Sequence, residues 1–204
     1  MDIFAAILQL DETIFFLINS LPHPPLVDLF FLFFSFYPLI IWLLIGVIAV
    51  VFEERKDKLF IIRLILALCV AGAMASGFIK PIIRRPRPDM THGDRVVIVE
   101  EKPAILPWNN DFAFPSGHAA VAFAGAYVVT REETSGTHSK RHSRKQKKLM
   151  RWLFMAVAYL TAISRIYLGK HYPLDIFAGG LLGWGVGWLA WKVVDIYQLK
   201  KADV

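Results

Sequence analysis

The chain has 204 residues, 56% of them hydrophobic, with a formal charge of +6 and a mean hydropathy of +0.48. That is too apolar for an ordinary soluble domain and predicts one integral membrane domain, residues 1–204, of the all-α polytopic class. The lone cysteine, Cys69, excludes an internal disulfide.

Residues 3–19 place Phe4, Ile7, Leu8, Phe15 and Ile18 near one helical face, interrupted by Asp11 and Glu12. A crossing needs about 20 apolar residues, so this stretch is expected to be an amphipathic helix lying on the membrane. The start lacks the basic region of a cleavable signal. Leu21-Pro22-His23-Pro24-Pro25 breaks the helix, with His23 read as a solvated loop residue. The first full span covers 27–52, kinked at Pro38, and a charged loop covers 53–58. The second span covers 59–79. Its Arg63 is read as a snorkelling anchor, and the small residues of Ala71–Gly77 predict close helix packing.

Residues 80–115 form a long polar stretch. The apolar run at 116–130 has only fifteen residues, or about 22 Å of helix. That predicts a helix starting below the membrane surface at Pro115-Ser116, or one running on into the following loop. Residues 131–151 carry the densest basic run, Lys140 to Lys148, read as a solvated cytoplasmic loop rather than an anionic-lipid site. Without interleaved aromatics it offers bases nothing to stack on, so no nucleic-acid partner is expected. The fourth and fifth spans cover 152–169 and 174–197. Gly179, Gly183 and Gly187 recur every four residues, a close-packing face. Trp184, Trp188 and Trp191 are read as packing or interfacial anchors.

Five spans put 53–58, 131–151 and Lys200-Lys201 on one side, which the basic run makes cytoplasmic. Residues 80–115 and 165–175 then share the external side of the cell membrane. Three polar islands lie there. Ser164–Asp175 holds Arg165, His171 and Asp175; the last two are four apart and share a helical face. Such a pair can make a nucleophile or a base, and a helix-capping His and Asp would explain it about as well. Lys80 with Arg87-Pro88 is the second island. Pro81, Pro86 and Pro88 exclude a regular helix and splay the cations on an extended turn, which would also suit a patch binding headgroups. The third is Phe114-Pro115-Ser116-Gly117-His118. Ser116 is a good N-cap, Gly117 lets a ligand approach the backbone, and the helix start suits an anion. A plain N-cap would look the same.

Together, Lys80-x6-Arg87-Pro88, Pro115-Ser116-Gly117-His118 and Ser164-Arg165-x5-His171-x3-Asp175 resemble the full signature of the type-two phosphatidic acid phosphatase superfamily, the lipid phosphate phosphatases. The resemblance covers residues 80–175. It implies that His171 attacks phosphorus to form a phosphohistidine, that Asp175 orients its imidazole, and that His118 is the general acid and then the base. It places Lys80, Arg87, Ser116, Gly117 and Arg165 around the phosphoryl oxygens, with no metal and no cofactor. The implied substrate is a membrane lipid phosphate: phosphatidate, phosphatidylglycerophosphate or undecaprenyl diphosphate. The family's soluble haloperoxidase relatives are disfavoured by the apolar spans. A lipid phosphotransferase and a non-catalytic lipid binder are the alternatives; a pure binder would not need His171 with its acid. Arg84 and Arg85 lie outside the signature, and are read as sitting at headgroup level in preference to binding a second phosphate. His92, Trp108, Asn109 and Asn110 belong to the external loop that would shape a headgroup pocket. Oligomeric state is left open.

Overall fold

The computed structural model describes residues 2–36, 38–52, 58–99, 112–134 and 143–202. Helices α1 (Ile3–Asn19), α2 (Pro25–Phe36) and α3 (Pro38–Phe52) open the chain, followed by α4 (Lys58–Gly72). A π-helical stretch, Ala73–Ile79, and a last turn, α5 (Lys80–Ile83), continue α4. Then come a short α6 (Pro88–His92), α7 (Gly117–Thr134), α8 (Arg144–Tyr167) and α9 (Pro173–Ala202). Among the described residues the extended structure amounts to an isolated bridge between Pro86 and Phe112. The expected all-α membrane bundle is what forms.

Among the described residues three helices are long and apolar enough to cross a membrane: Leu59–Ile83, Lys145–Tyr167 and Pro173–Gln198. A fourth crossing arises if α2 and α3 form one span, bent by 70° next to Pro38. α7 has 18 residues, about 27 Å of helix, and sits centrally among α4, α8 and α9. Its inner positions are small: Ala119, Ala120, Ala122, Ala124 and Ala126 are all fully buried. Alanine lowers the helix's hydropathy but lets neighbours come close.

The α7–α9 seam shows why. A Cβ on Gly179 would stand 2.4 Å from the Ser116 carbonyl oxygen, and one on Gly183 would stand 2.1 Å from that of Ala120. One on Gly187 would meet Tyr127 Cβ at 2.9 Å. Glycines four apart on α9 therefore face carbonyls four apart on α7, and backbone meets backbone. Trp42 of α3 fills the equivalent gap over Gly125 on another face of α7. Of the tryptophan stripe, Trp191 is buried, whereas Trp184 and Trp188 face outward.

Several local readings change. The chain stays helical through Pro81, so Lys80 sits on a helix rather than an extended turn; proline is tolerated early in a turn, where its missing N–H is least felt. Arg84, at φ 53, then ends the helix. Arg63 does not snorkel. It is buried, donates to Asp195 Oδ1 at 2.5 Å and stacks its guanidinium 4.1 Å over Trp191. His23 is not a solvated loop residue. Its ring stacks on Tyr167 at 4.3 Å, with Nδ1 2.9 Å from Asp28 Oδ1 and Nε2 2.9 Å from the Asn19 carbonyl. The described ends of the basic stretch are helical: α7 runs to Thr134, and Ser143 caps α8 in a capping box with Gln146. Lys140 to His142, the loop 53–57, and Trp108, Asn109 and Asn110 lie outside the described residues.

Candidate active site

The site is built on the turn from α8 to α9. α8 stops at Tyr167, and Gly169 takes φ +77, a left-handed conformation that suits glycine. The chain then folds back, so that Lys170 and His171 both donate their N–H groups to the Arg165 carbonyl, at 3.0 and 3.1 Å. Pro173 starts α9 at the position where its fixed φ fits best. Asp175, in the first turn, accepts the Tyr172 N–H on Oδ2 at 2.8 Å. That Oδ2 lies 3.6 Å from His171 Nδ1, in line for the imidazole but longer than a hydrogen bond. Arg165, His171 and Asp175 are all buried.

The other islands converge here. The Ser116 N–H donates to the Asp175 carbonyl at 2.9 Å, which fixes the start of α7 against the start of α9. Ser116 caps α7 as expected, its Oγ accepting from Ala119 N at 3.4 Å. His118 sits in the first turn of α7, two residues on. Gly117 serves packing as well: a Cβ there would lie 2.8 Å from Ser76 Oγ of the π stretch. Lys80 is buried, and Arg87 is half-buried ahead of the short α6. Burial holds the His171 imidazole well below the ordinary histidine value, helped by the cations Lys80, Arg165 and Arg87 and opposed by a backbone hydrogen bond to Ala113. At neutral pH its ring is therefore neutral.

Several residues around the site make contacts that the sequence did not disclose. Arg85 points inward, donating from Nη1 to Asp175 Oδ1 at 2.7 Å and from Nη2 to Asp11 Oδ2 at 2.6 Å. Neither the headgroup reading nor the second-phosphate reading of Arg85 fits that geometry. Asp11 is buried, and its Oδ1 accepts the Leu174 N–H at 2.8 Å. The helix α1 thus lies across the turn from α8 to α9, with Phe15 against Tyr172 at 5.2 Å between ring centres. Asn19 ties the same helix to Val97 and to the end of α8. Ser35, at the end of α2, accepts from Arg165 Nη1 through its hydroxyl. His92 reaches α1, with Nε2 3.7 Å from Glu12 Oε1. Among the described residues no group of three or more His, Cys, Asp or Glu could hold a metal ion.

Residues 60–198 match the PAP2 superfamily. The chain belongs to that superfamily. It is 27% identical over 192 residues to the lipid A 4'-phosphatase of Porphyromonas gingivalis, an alignment covering 92% of this chain and 74% of that one. It is 26% identical over 163 residues to the undecaprenyl-diphosphatase of Sulfolobus acidocaldarius, covering 80% and 68%. Its fold follows the crystal structure of a transmembrane PAP2-type phosphatidylglycerolphosphate phosphatase from Bacillus subtilis, with a TM-score of 0.69, 22% identity, and coverage of 93% and 87%. These PAP2 relatives are phosphatases, and the chain is a hydrolase of phosphoric esters in a multi-pass membrane setting.

Proposed function

We propose that this PAP2 enzyme removes the terminal phosphate of a membrane lipid through a phosphohistidine on His171. The observation carrying the reading is a buried imidazole backed by Asp175, with Lys80, Arg87 and Arg165 near enough to act on it electrostatically. As the N–P bond forms, the bond from phosphorus to the lipid oxygen breaks, and His118 gives that oxygen its proton. His118 then takes a proton from water, whose oxygen attacks phosphorus and frees His171. Lys80, Arg87, Arg165, Ser116 and the Gly117 N–H hold the phosphoryl oxygens, so positioning and charge carry the chemistry.

A phosphomonoester is the first substrate reading, because both terminal nitrogens of Arg85 face carboxylates rather than a second phosphate. Its kinship with a lipid A 4'-phosphatase points the same way. A lipid diphosphate is the second reading, favoured by kinship with an undecaprenyl-diphosphatase. The external face is supported by charge. The site lies at the start of α7, whereas Arg131, Lys145, Lys147, Lys148 and Arg151 cluster at the end of α7 and the start of α8.

The test is phosphate release in detergent, with chelator present, from phosphatidate, phosphatidylglycerophosphate, lipid A and undecaprenyl diphosphate. Wild-type turnover on a monophosphate, abolished in His171→Ala, is expected. Activity that needs added magnesium, or that survives in His171→Ala, refutes the reading. A cysteine near Gly93 should label from outside, and one near Ser143 should be protected; the reverse pattern refutes the external site.

A further inference from the structure

We propose that Asp11, on the N-terminal helix, is a positioning residue of the reaction: it shares Arg85 with Asp175, so that Asp175 keeps negative charge for His171. This rests on His171 being the nucleophile. Asp175 is fully buried, and one of its oxygens is taken by Arg85 at 2.7 Å. An arginine paired with that carboxylate alone would make a neutral pair, leaving little field to stabilise positive charge on the imidazole. The other end of the Arg85 fork meets Asp11 Oδ2 at 2.6 Å, and Asp11 is buried too. One cation between two carboxylates leaves the trio a net charge of about −1, and Asp175 Oδ2, which also accepts the Tyr172 N–H, is the oxygen 3.6 Å from His171 Nδ1.

The supports of this bridge are built in. Arg85 lies over the Tyr172 ring at 4.2 Å, and Tyr172 is the residue after His171. Asp11 Oδ1 also takes the Leu174 N–H, so the same carboxylate caps α9 one residue before Asp175. Phe15, one turn along α1, packs on Tyr172 from the same side. A carboxylate in the middle of an apolar helix is costly unless paired, and its partner here reaches directly to the nucleophile's own carboxylate.

Asp11→Asn separates positioning from docking. The amide oxygen can still cap Leu174, but the charge facing Arg85 is gone. The full chain in detergent is assayed on dioctanoyl phosphatidate and on p-nitrophenyl phosphate. Wild-type turnover and its loss in His171→Ala are the controls; failure of either overturns the nucleophile assignment and this proposal with it. With both met, Asp11→Asn should lower kcat roughly 10- to 100-fold, less than losing a triad carboxylate outright. KM should stay within about twofold, because no substrate contact is lost. Asp11→Glu should recover most of the lost kcat. In an Arg85→Met background, Asp11→Asn should change kcat less than about twofold, because its effect passes through Arg85. Unchanged kcat in Asp11→Asn, a raised KM with kcat intact, or losses that multiply in the double variant would each overturn the proposal. Should Asp11→Asn not fold, Arg85→Lys carries the test: it keeps the charge but loses the fork, so kcat should fall at constant KM, and full activity overturns the proposal.

Discussion

The Arg165 carbonyl accepts the His171 N–H at 3.1 Å, so a proposed phosphate-binding cation and the proposed nucleophile hang from one peptide unit. Gly169 makes the fold-back possible, at φ +77 and with Val97 O 2.5 Å from where a Cβ would stand. Gly169→Ala should therefore cost about 1–3 kcal/mol through backbone conformation alone, with more from the clash. We expect a lower melting temperature in detergent and at least a tenfold loss of phosphate release. Gly185, in α9 with nothing within 4 Å of its would-be Cβ, is the matched control. Gly185→Ala should be neutral or stabilising by about 0.5–1 kcal/mol.

The α7–α9 seam should be intolerant of a single methyl. A Cβ at Gly183 would enter the space of the Ala120 carbonyl, 2.1 Å away, and neither backbone can yield without moving a helix. Gly183→Ala should cost about 1–3 kcal/mol, as overpacking does. Because the seam sets Ser116 against Asp175, kcat should fall with stability. A melting curve and a rate on the same preparation check both.

The pair Arg63–Asp195 should be asymmetric. Arg63 is 6% exposed at its side chain and Asp195 44%. Removing Asp195 takes a carboxylate away from a buried cation that keeps Gln198 Oε1 at 3.5 Å and the Trp191 face, and the cost should be about 1–3 kcal/mol, below that of a fully buried pair. Asp195→Ala with Arg63→Met should recover most of it, because methionine can pack on Trp191 without a partner. Thermal unfolding of the two singles and the double decides this.

His171 sets a pH dependence of known sign. Its folded value lies well below 6.5, because burial and three cations disfavour the imidazolium. Between those two values the unfolded chain binds a proton that the folded chain refuses. The stability from this residue is complete above pH 6.5 and drains away as pH falls through the folded value. The His171 ring should stay neutral, and should not titrate, at pH 6.5 and above. Ring-carbon shifts of isotopically labelled histidine, assigned with His171→Ala, would show it; a His171 midpoint near 6.5 would contradict it.

How much of this was legible in the sequence depended on distance along the chain. The α8–α9 turn was readable because its spacing lies within twelve residues, and the glycine seam because its period is that of a helix. Arg85 was not, because its partners lie 74 and 90 residues away and nothing in the Arg84-Arg85 pair says which one turns inward. Asp11 read as a flaw in an amphipathic stretch, since the cost of burying it is cancelled only by a partner that folding supplies. Arg63 misled for the same reason: its position fitted snorkelling, and Asp195 is 132 residues on. The π stretch Ala73–Ile79 looked like ordinary small-residue packing. By contrast, Ser143 and Gln146 spell a capping box three residues apart, and that helix start could have been read directly.

The most direct test of the central claim is to trap the intermediate. The enzyme is mixed with phosphatidate bearing a radiolabelled phosphate and quenched within milliseconds in alkali. The account predicts a protein-bound phosphate, stable in base and lost in acid, on the peptide containing His171 and absent from His171→Ala. Label on another residue, or phosphate released by His171→Ala at the wild-type rate, would contradict it.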